Sequence, residues 1–307
     1  MAMIMETNRL TKDYGQGRGN FDLTLRLEEG KTLGLVGENG AGKTTFLRLL
    51  MGFVKPTSGS ASIYGHDCTK EAPFVKRFVS YIPGEINFPD LPTGKDFLLQ
   101  YAHEVGANEE ALSKMGNVIQ ALQLDITAYP PRMSKGMKQK TAIVAAFMKE
   151  CPLMLMDEPT TGLDPLMRDT LLNLLLEEKK KGRSIIMSSN TIEELEKVSD
   201  YVALISKGKL IDVADCEAIK KRPFRDYKIE FLNERDYLFM KKKYAAYILR
   251  DQEKYQQLTL RYPKERLGEL LRSLTATPLK FLSEVPYNLQ TYFDESRLKK
   301  GTAEKGE

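Results

Sequence analysis

Cysteine is scarce: Cys68, Cys151 and Cys216 are the only three in 307 residues. Their scattered spacing fits neither a disulfide framework nor a metal-binding knuckle, so a reducing cytoplasm is the expected compartment. Long apolar runs are absent as well. The best candidates, Ala142–Met148 and Leu171–Leu176, are hemmed by charge and fall short of the roughly 18–20 residues that span a bilayer. The first residues, Met1–Arg9, carry Glu6 and lack the apolar centre and cleavage site of an export signal. Neither charge dominates: 46 Lys+Arg oppose 42 Asp+Glu, a net +4, and a pI near 8.7 gives little support to nucleic-acid binding. No repeat or low-complexity tract is present. What remains, 42% hydrophobic and 29% charged residues, suits a folded chain of about two domains. A soluble cytoplasmic protein is expected, and any work at a membrane needs a membrane part from another chain.

Alternating elements fill the first two thirds. Leu23, Leu25 and Leu27 alternate with Asp22, Thr24, Arg26 and Glu28, the period of a half-buried strand. Thr32–Val36 is a short apolar run suited to a buried parallel strand. A glycine-rich turn leads into a helix over Lys43–Gly52, then a turn at Pro56–Gly59 and a strand at Ser60–Tyr64. From Thr93 to Met148 the pattern is mostly helical: Asp96–Val105, Asn108–Leu122 and Lys138–Lys149. Leu153–Met156, Ser184–Met187 and Tyr201–Ile205 predict strands, and Asp164–Lys181 a long helix. The whole implies an α/β core over 1–214 with a helical subdomain at about 85–150.

Past Asp215 the composition shifts. Eight of the 14 tyrosines follow Arg222, and from Glu217 onward 20 Lys/Arg face 14 Asp/Glu. Strands at Arg225–Leu232, Ala246–Arg250 and Gln257–Tyr262, with helices at Glu234–Tyr244 and Pro263–Leu274, predict a small α+β domain over 215–298. Tyr237, Tyr244 and Tyr247 are expected in its core or at a dimer contact. A disordered tail is expected at 299–307.

Two motifs carry chemistry. Gly37-Glu38-Asn39-Gly40-Ala41-Gly42-Lys43-Thr44-Thr45 fits the phosphate loop G-x-x-x-x-G-K-[ST] between a buried strand and a helix. Its glycines let successive N–H groups converge on phosphates, the helix adds its positive end, Lys43 reaches the β- and γ-phosphates, and Thr44 offers a hydroxyl to Mg²⁺. In Leu153–Glu158 an apolar strand ends in two carboxylates. Asp157 stands where ligands gather in open α/β sheets and can hold Mg²⁺, and Glu158 can polarise a water for attack on the γ-phosphate.

On these residues the chain resembles the nucleotide-binding subunits of ATP-binding cassette transporters, over about Met3–Val213. Met133-Ser134-Lys135-Gly136-Met137-Lys138-Gln139 is similar to the family's signature L-S-G-G-Q, and Thr161-Gly162-Leu163-Asp164 to its D-loop. The run Gly52–Gly59 also matches, and Tyr14 stands where an aromatic stacks on adenine. The resemblance implies two cassettes facing head to tail. ATP and Mg²⁺ would sit on the phosphate loop of one cassette and be closed over by Ser134, Lys135, Gly136 and Met137 of the other. It also implies an integral-membrane permease as partner, a place at the cytoplasmic face of the membrane, and no nucleic-acid ligand. The domain after Asp215 resembles, by element order and length alone, the small C-terminal domains of antibiotic- and drug-efflux cassettes.

Three departures stand out. Gly84, followed by Glu85, replaces the glutamine that would help bind Mg²⁺ and water. Asn190 replaces the switch histidine, keeping a hydrogen-bond donor but losing the titratable charge. Lys135 and Met137 replace Gly and Gln in the signature. The expected function is therefore an ATP-hydrolysing subunit that powers an exporter. Asn190 and Gly84 leave open a non-catalytic ATP clamp in a heteromeric pair, and a soluble cassette acting on ribosomes or DNA is the third reading.

Overall fold

The structure, a computed structural model, describes residues 2–275 and 277–303, the side chains of 297–303 excepted. The chain divides into two compact units, Met1–Asp215 and Cys216–Glu307. Among the described residues no helix is long and apolar enough to cross a membrane.

The first unit is built on a six-stranded sheet. Its strands run in the order Lys209–Asp215, Tyr201–Ser206, Thr32–Val36, Ser184–Ser189, Leu153–Asp157 and Val79–Ile82, parallel except for the first. The three central strands are buried along their whole length, as a sheet covered on both faces requires. On one face Phe46, Leu47 and Leu50 of helix Lys43–Leu50 join Leu33, Leu35, Leu153 and Ile186 in one apolar cluster. Each such buried side chain contributes about 1.5–3 kcal/mol relative to exposure. Helices Pro165–Lys180 and Ile192–Val198 complete the α/β layering.

An antiparallel sheet forms around the long strand Met3–Asp13, which pairs with Gly19–Leu23, Arg26–Glu28 and Ser58–Ile63. The alternation of Leu23, Leu25 and Leu27 predicts one strand, and here two short ones form. Buried Thr7 explains the break: its Oγ1 donates to Leu23 O at 3.0 Å and accepts from Leu25 N at 2.9 Å, filling the interrupted ladder. The three leucines nevertheless all stay buried.

Side-chain caps set the helix starts. Thr93, Asn108, Ser134 and Asp164 accept from the backbone N–H three residues on, starting helices Gly94–Val105, Glu109–Ala121, Lys135–Met148 and Pro165–Lys180. The third helix corrects the sequence reading. It begins at Lys135 rather than Lys138, because Ser134 acts as its cap. Four strands escape the sequence pattern: His66–Asp67, Val79–Ile82, Lys209–Asp215 and Leu279–Val285. All lie at sheet edges, where one-sided pairing relaxes the alternation that would reveal them.

The second unit is a four-stranded antiparallel sheet in the order Ile248–Gln252, Gln257–Pro263, Phe224–Phe231, Leu279–Val285. Helices Glu234–Lys243 and Leu267–Leu274 cover one face through Tyr237, Met240 and Leu270. Tyr237 and Tyr244 lie in this core, and Tyr247 packs against it with its ring 4.8 Å from that of Tyr262. A last helix spans Leu289–Ala303, across the start of the expected tail, and residues 304–307 lie outside the description.

A buried ionic knot ties the helical insertion to the core. Glu178, 3% exposed, accepts from Lys114 and Arg183 at 2.7 Å each and from Lys181 at 3.0 Å. Burial alone would raise its pKa, but these bonds hold the carboxyl down to about 2. Burial among other cations lowers the proton affinity of Lys114, so the net gain is smaller than the carboxylate alone provides. The depressed pKa means stabilisation that is complete above about pH 4.5 and fades as the pH falls through 2. Glu178→Gln should therefore lose up to about 3 kcal/mol in urea unfolding at pH 7, and its deficit should shrink between pH 4.5 and 2.

Candidate functional site

The loop 37–42 curls between strand Thr32–Val36 and helix Lys43–Leu50. Gly42 has φ of 109°, and a Cβ there would stand 2.4 Å from Asn20 Nδ2, so only glycine fits. Buried Asn20 in turn donates to Gly42 O at 3.2 Å and holds the loop. Lys43, 4% exposed, donates to Gly37 O at 2.7 Å, Glu38 O at 3.3 Å and Asn190 Oδ1 at 2.7 Å. Burial lowers its pKa, and the nearby Glu158 and Asp157 carboxylates oppose that fall.

Strand register brings the carboxylates to the same place. Asp157 pairs with Ser188, whose Oγ donates to Asp157 Oδ1 at 2.7 Å and accepts from Glu158 N at 2.9 Å. Asp157 is 1% exposed, and its Oδ2 is buried with no hydrogen-bond partner. A buried, unpartnered carboxylate oxygen is costly unless a cation or donor comes to it. With the Thr44 hydroxyl on the same cavity, the donors are hard oxygens that suit Mg²⁺. Glu158 has φ of +49°, a left-handed conformation that costs about 1–3 kcal/mol for such a residue and concentrates at functional sites. Its Oε1 accepts from Asn190 Nδ2 at 2.9 Å and lies 3.6 Å from Lys43 Nζ. One asparagine amide thus joins the ammonium to the carboxylate.

These groups open on a cavity of about 460 Å³. Of the expected site residues, Tyr14, Asn39, Gly40, Ala41, Gly42, Lys43, Thr44, Thr45, Gly84, Glu85, Asp157 and Glu158 line it. Gly37 takes part through its carbonyl and Asn190 through its two bonds. Tyr14 is 49% exposed, with Lys12 Nζ 5.3 Å from its ring centre. Gly84 runs against the acidic wall: a Cβ at 84 would lie 2.9 Å from Asp157 Oδ2.

Ser134, Lys135, Gly136, Met137 and Asp164 do not line this cavity. Ser134 Oγ accepts from Met137 N at 3.2 Å, and Asp164 Oδ1 from Met167 N at 3.0 Å, so both cap helices. A Cβ on Gly136 would meet Gly162 O at 2.7 Å, and the Lys135 stem covers Gly162. The two loops are therefore packed together.

Several site residues go unnoticed in the sequence. Arg48 lines the cavity four residues after Thr44, a helical spacing that could have revealed it. Arg18 also lines it, from a turn that carries no signal. Glu194, 5% exposed, accepts from Thr160 Oγ1 and Ser189 Oγ at 2.8 Å each, with Arg168 Nε at 3.2 Å. It fastens the segments that follow Glu158 and precede Asn190. Glu194→Ala strands two buried hydroxyls, and urea unfolding should show a loss of about 2 kcal/mol. Glu194→Gln, which keeps one acceptor, should lose less.

Comparison with known proteins places this arrangement. A family model described as ABC transporter matches residues 21–161. The bacitracin transport ATP-binding protein BcrA of Bacillus licheniformis is 33% identical over 227 residues, covering 72% of this chain and 73% of that protein. The ABC transporter ATP-binding protein NatA of Bacillus subtilis (strain 168) is 31% identical over 229 residues, covering 72% and 89%. A solved ATP-binding subunit of an ABC transporter aligns with a TM-score of 0.65 at 30% identity, over 71% of this chain and 92% of that one. The chain belongs to the ABC transporter family as an ATP-binding subunit.

Proposed function

We propose that this subunit hydrolyses ATP to drive an exporter, closing on a second cassette when ATP is bound and opening after hydrolysis. The observation that carries the proposal is the linked set Lys43–Asn190–Glu158 beside the unpartnered Asp157 Oδ2. In this reading the N–H groups of loop 37–42 and the start of helix Lys43–Leu50 cradle the phosphates. Lys43 exchanges its bond to Asn190 for phosphate oxygens. Thr44 and Asp157 hold Mg²⁺, which when bound screens the phosphate charge. Glu158 accepts a proton from the water as its oxygen bonds to the γ-phosphorus, the bond to the bridging oxygen breaks and ADP leaves, and the second Nδ2–H of Asn190 donates to a γ-phosphate oxygen. Tyr14 packs on the adenine.

Ser134 and Gly136 of one cassette would complete the site of the other, since neither half alone surrounds the γ-phosphate. Their position outside the cavity of their own chain supports this division. For the membrane partner, the reading is supported by a cavity of about 280 Å³ lined by Tyr81, Phe88, Phe97 and Tyr101, where the loop after Ile82 meets the helical insertion. An apolar segment of a permease at the cytoplasmic face would fit it. The likeness to a bacitracin transport ATP-binding protein supports a role in transport.

A second reading, a clamp with little turnover, is favoured by Asn190. An amide supplies no charge, and losing one transition-state contact lowers a rate by about 10²–10³-fold. Phosphate release decides between them. Glu158→Gln should lower release by at least about 10²-fold while ATP is retained, and release unchanged by that substitution would refute the catalytic role of Glu158. Asn190→His should raise turnover and add a pH dependence between about 6 and 7 that the asparagine chain lacks. A chain that is inactive with either residue at 190 is a clamp.

A further inference from the structure

Glu85 stands between two cavities. It lines the nucleotide cavity with Thr44, Asp157 and Glu158, and also a second cavity of about 310 Å³ walled by Lys135, Lys138 and Gln139. Gly84 explains why this residue occupies the divide. A Cβ at 84 would stand 2.9 Å from Asp157 Oδ2, and with glycine there the first side chain beyond Pro83 belongs to Glu85.

The second cavity has the chemistry of an anion site. Lys135 and Lys138 make no side-chain hydrogen bond or ion pair among the described residues. Gln139, 2% exposed, has a buried Nε2 with no acceptor, and a buried amide donor strongly favours finding one. Helix Lys135–Met148 begins here and adds the positive end of its dipole. Glu85 is the anionic side chain on this cavity, and it too makes no side-chain hydrogen bond or ion pair among the described residues.

We propose that the second cavity is a carboxylate-binding site whose ligand is Glu85. Polyphosphate arriving beside Asp157 and Glu158 repels a third carboxylate, and Glu85 crosses to Lys135, Lys138 and the Gln139 amide. The new ion pairs then tie the start of the helix that carries Ser134 and Gly136 to the loop beside the occupied cavity of its own chain. This inference rests on the ATP-binding reading above.

The chain has no tryptophan, so Asn87→Trp gives a single indole on the wall of the second cavity. ATP should shift its emission. Glu85→Gln and the pair Lys135→Gln/Lys138→Gln should each abolish the shift, whereas the pair Lys135→Arg/Lys138→Arg, which keeps both cations, should retain it. Each variant is read at an ATP concentration that saturates it, set by a separate titration with a fluorescent analogue in Mg²⁺ and in EDTA. A shift that survives Glu85→Gln or the double lysine substitution overturns the proposal. So does an affinity that falls about tenfold on Glu85→Gln in Mg²⁺ alone, because Glu85 would then be acting on the cation. If affinity is intact but the parent shows no shift, the carboxylate site fails by itself. If the parent binds no ATP, the underlying reading fails and takes the site with it.

Discussion

A lysine ammonium held almost out of water is the constraint around which this molecule is arranged. Lys43 cannot stay charged where it sits unless each of its donors meets an oxygen, and the fold supplies them from distant places. Gly37 and Glu38 come from the turn just before it, and Asn190 comes from the far end of a neighbouring strand. The parallel sheet makes this possible, because strands Thr32–Val36 and Ser184–Ser189 lie side by side in register. The same register aligns Ser188 with Asp157, so a single sheet edge assembles the ammonium, the two carboxylates and the hydroxyl that orients them.

Much of this was legible in the sequence, for a reason that also marks the limit. The phosphate loop and the carboxylate pair are local features. Residue type and spacing over a few positions determine what they do. Glu194 is different. Its partners Thr160, Arg168 and Ser189 belong to three separate elements, and no periodicity in a single sequence announces their meeting. Arg18 enters the site from a turn for a similar reason. The fold shows the same division: central strands declare themselves as apolar runs, whereas edge strands such as Val79–Ile82 depend on a pairing that only the tertiary structure provides.

Two departures from the family pattern acquire physical meaning from their surroundings. The glycine at 84 is more than a missing glutamine. The backbone there approaches the Asp157 carboxylate so closely that any side chain would have to displace it, and the polar group of that loop is moved on to Glu85. Lys135 lays its stem along Gly162, which couples the signature segment to the loop ahead of Asp164 within one chain. Both departures alter which charges face the nucleotide cavity and which face the helical insertion.

Asn190 is the departure with the widest reach. A primary amide carries an acceptor and a donor on one rigid plane, and here the oxygen takes Lys43 while the nitrogen serves Glu158. A neutral imidazole presents its acceptor and donor on opposite sides of a ring, and a protonated one presents only donors. An imidazolium beside Lys43 would add charge to an ammonium that burial already disfavours. The amide avoids that repulsion at every pH. It joins Lys43 to Glu158, and the strained backbone of Glu158 is held in place by Ser188 and Asn190. The site is thus held by charge-assisted hydrogen bonds that meet on one neutral amide.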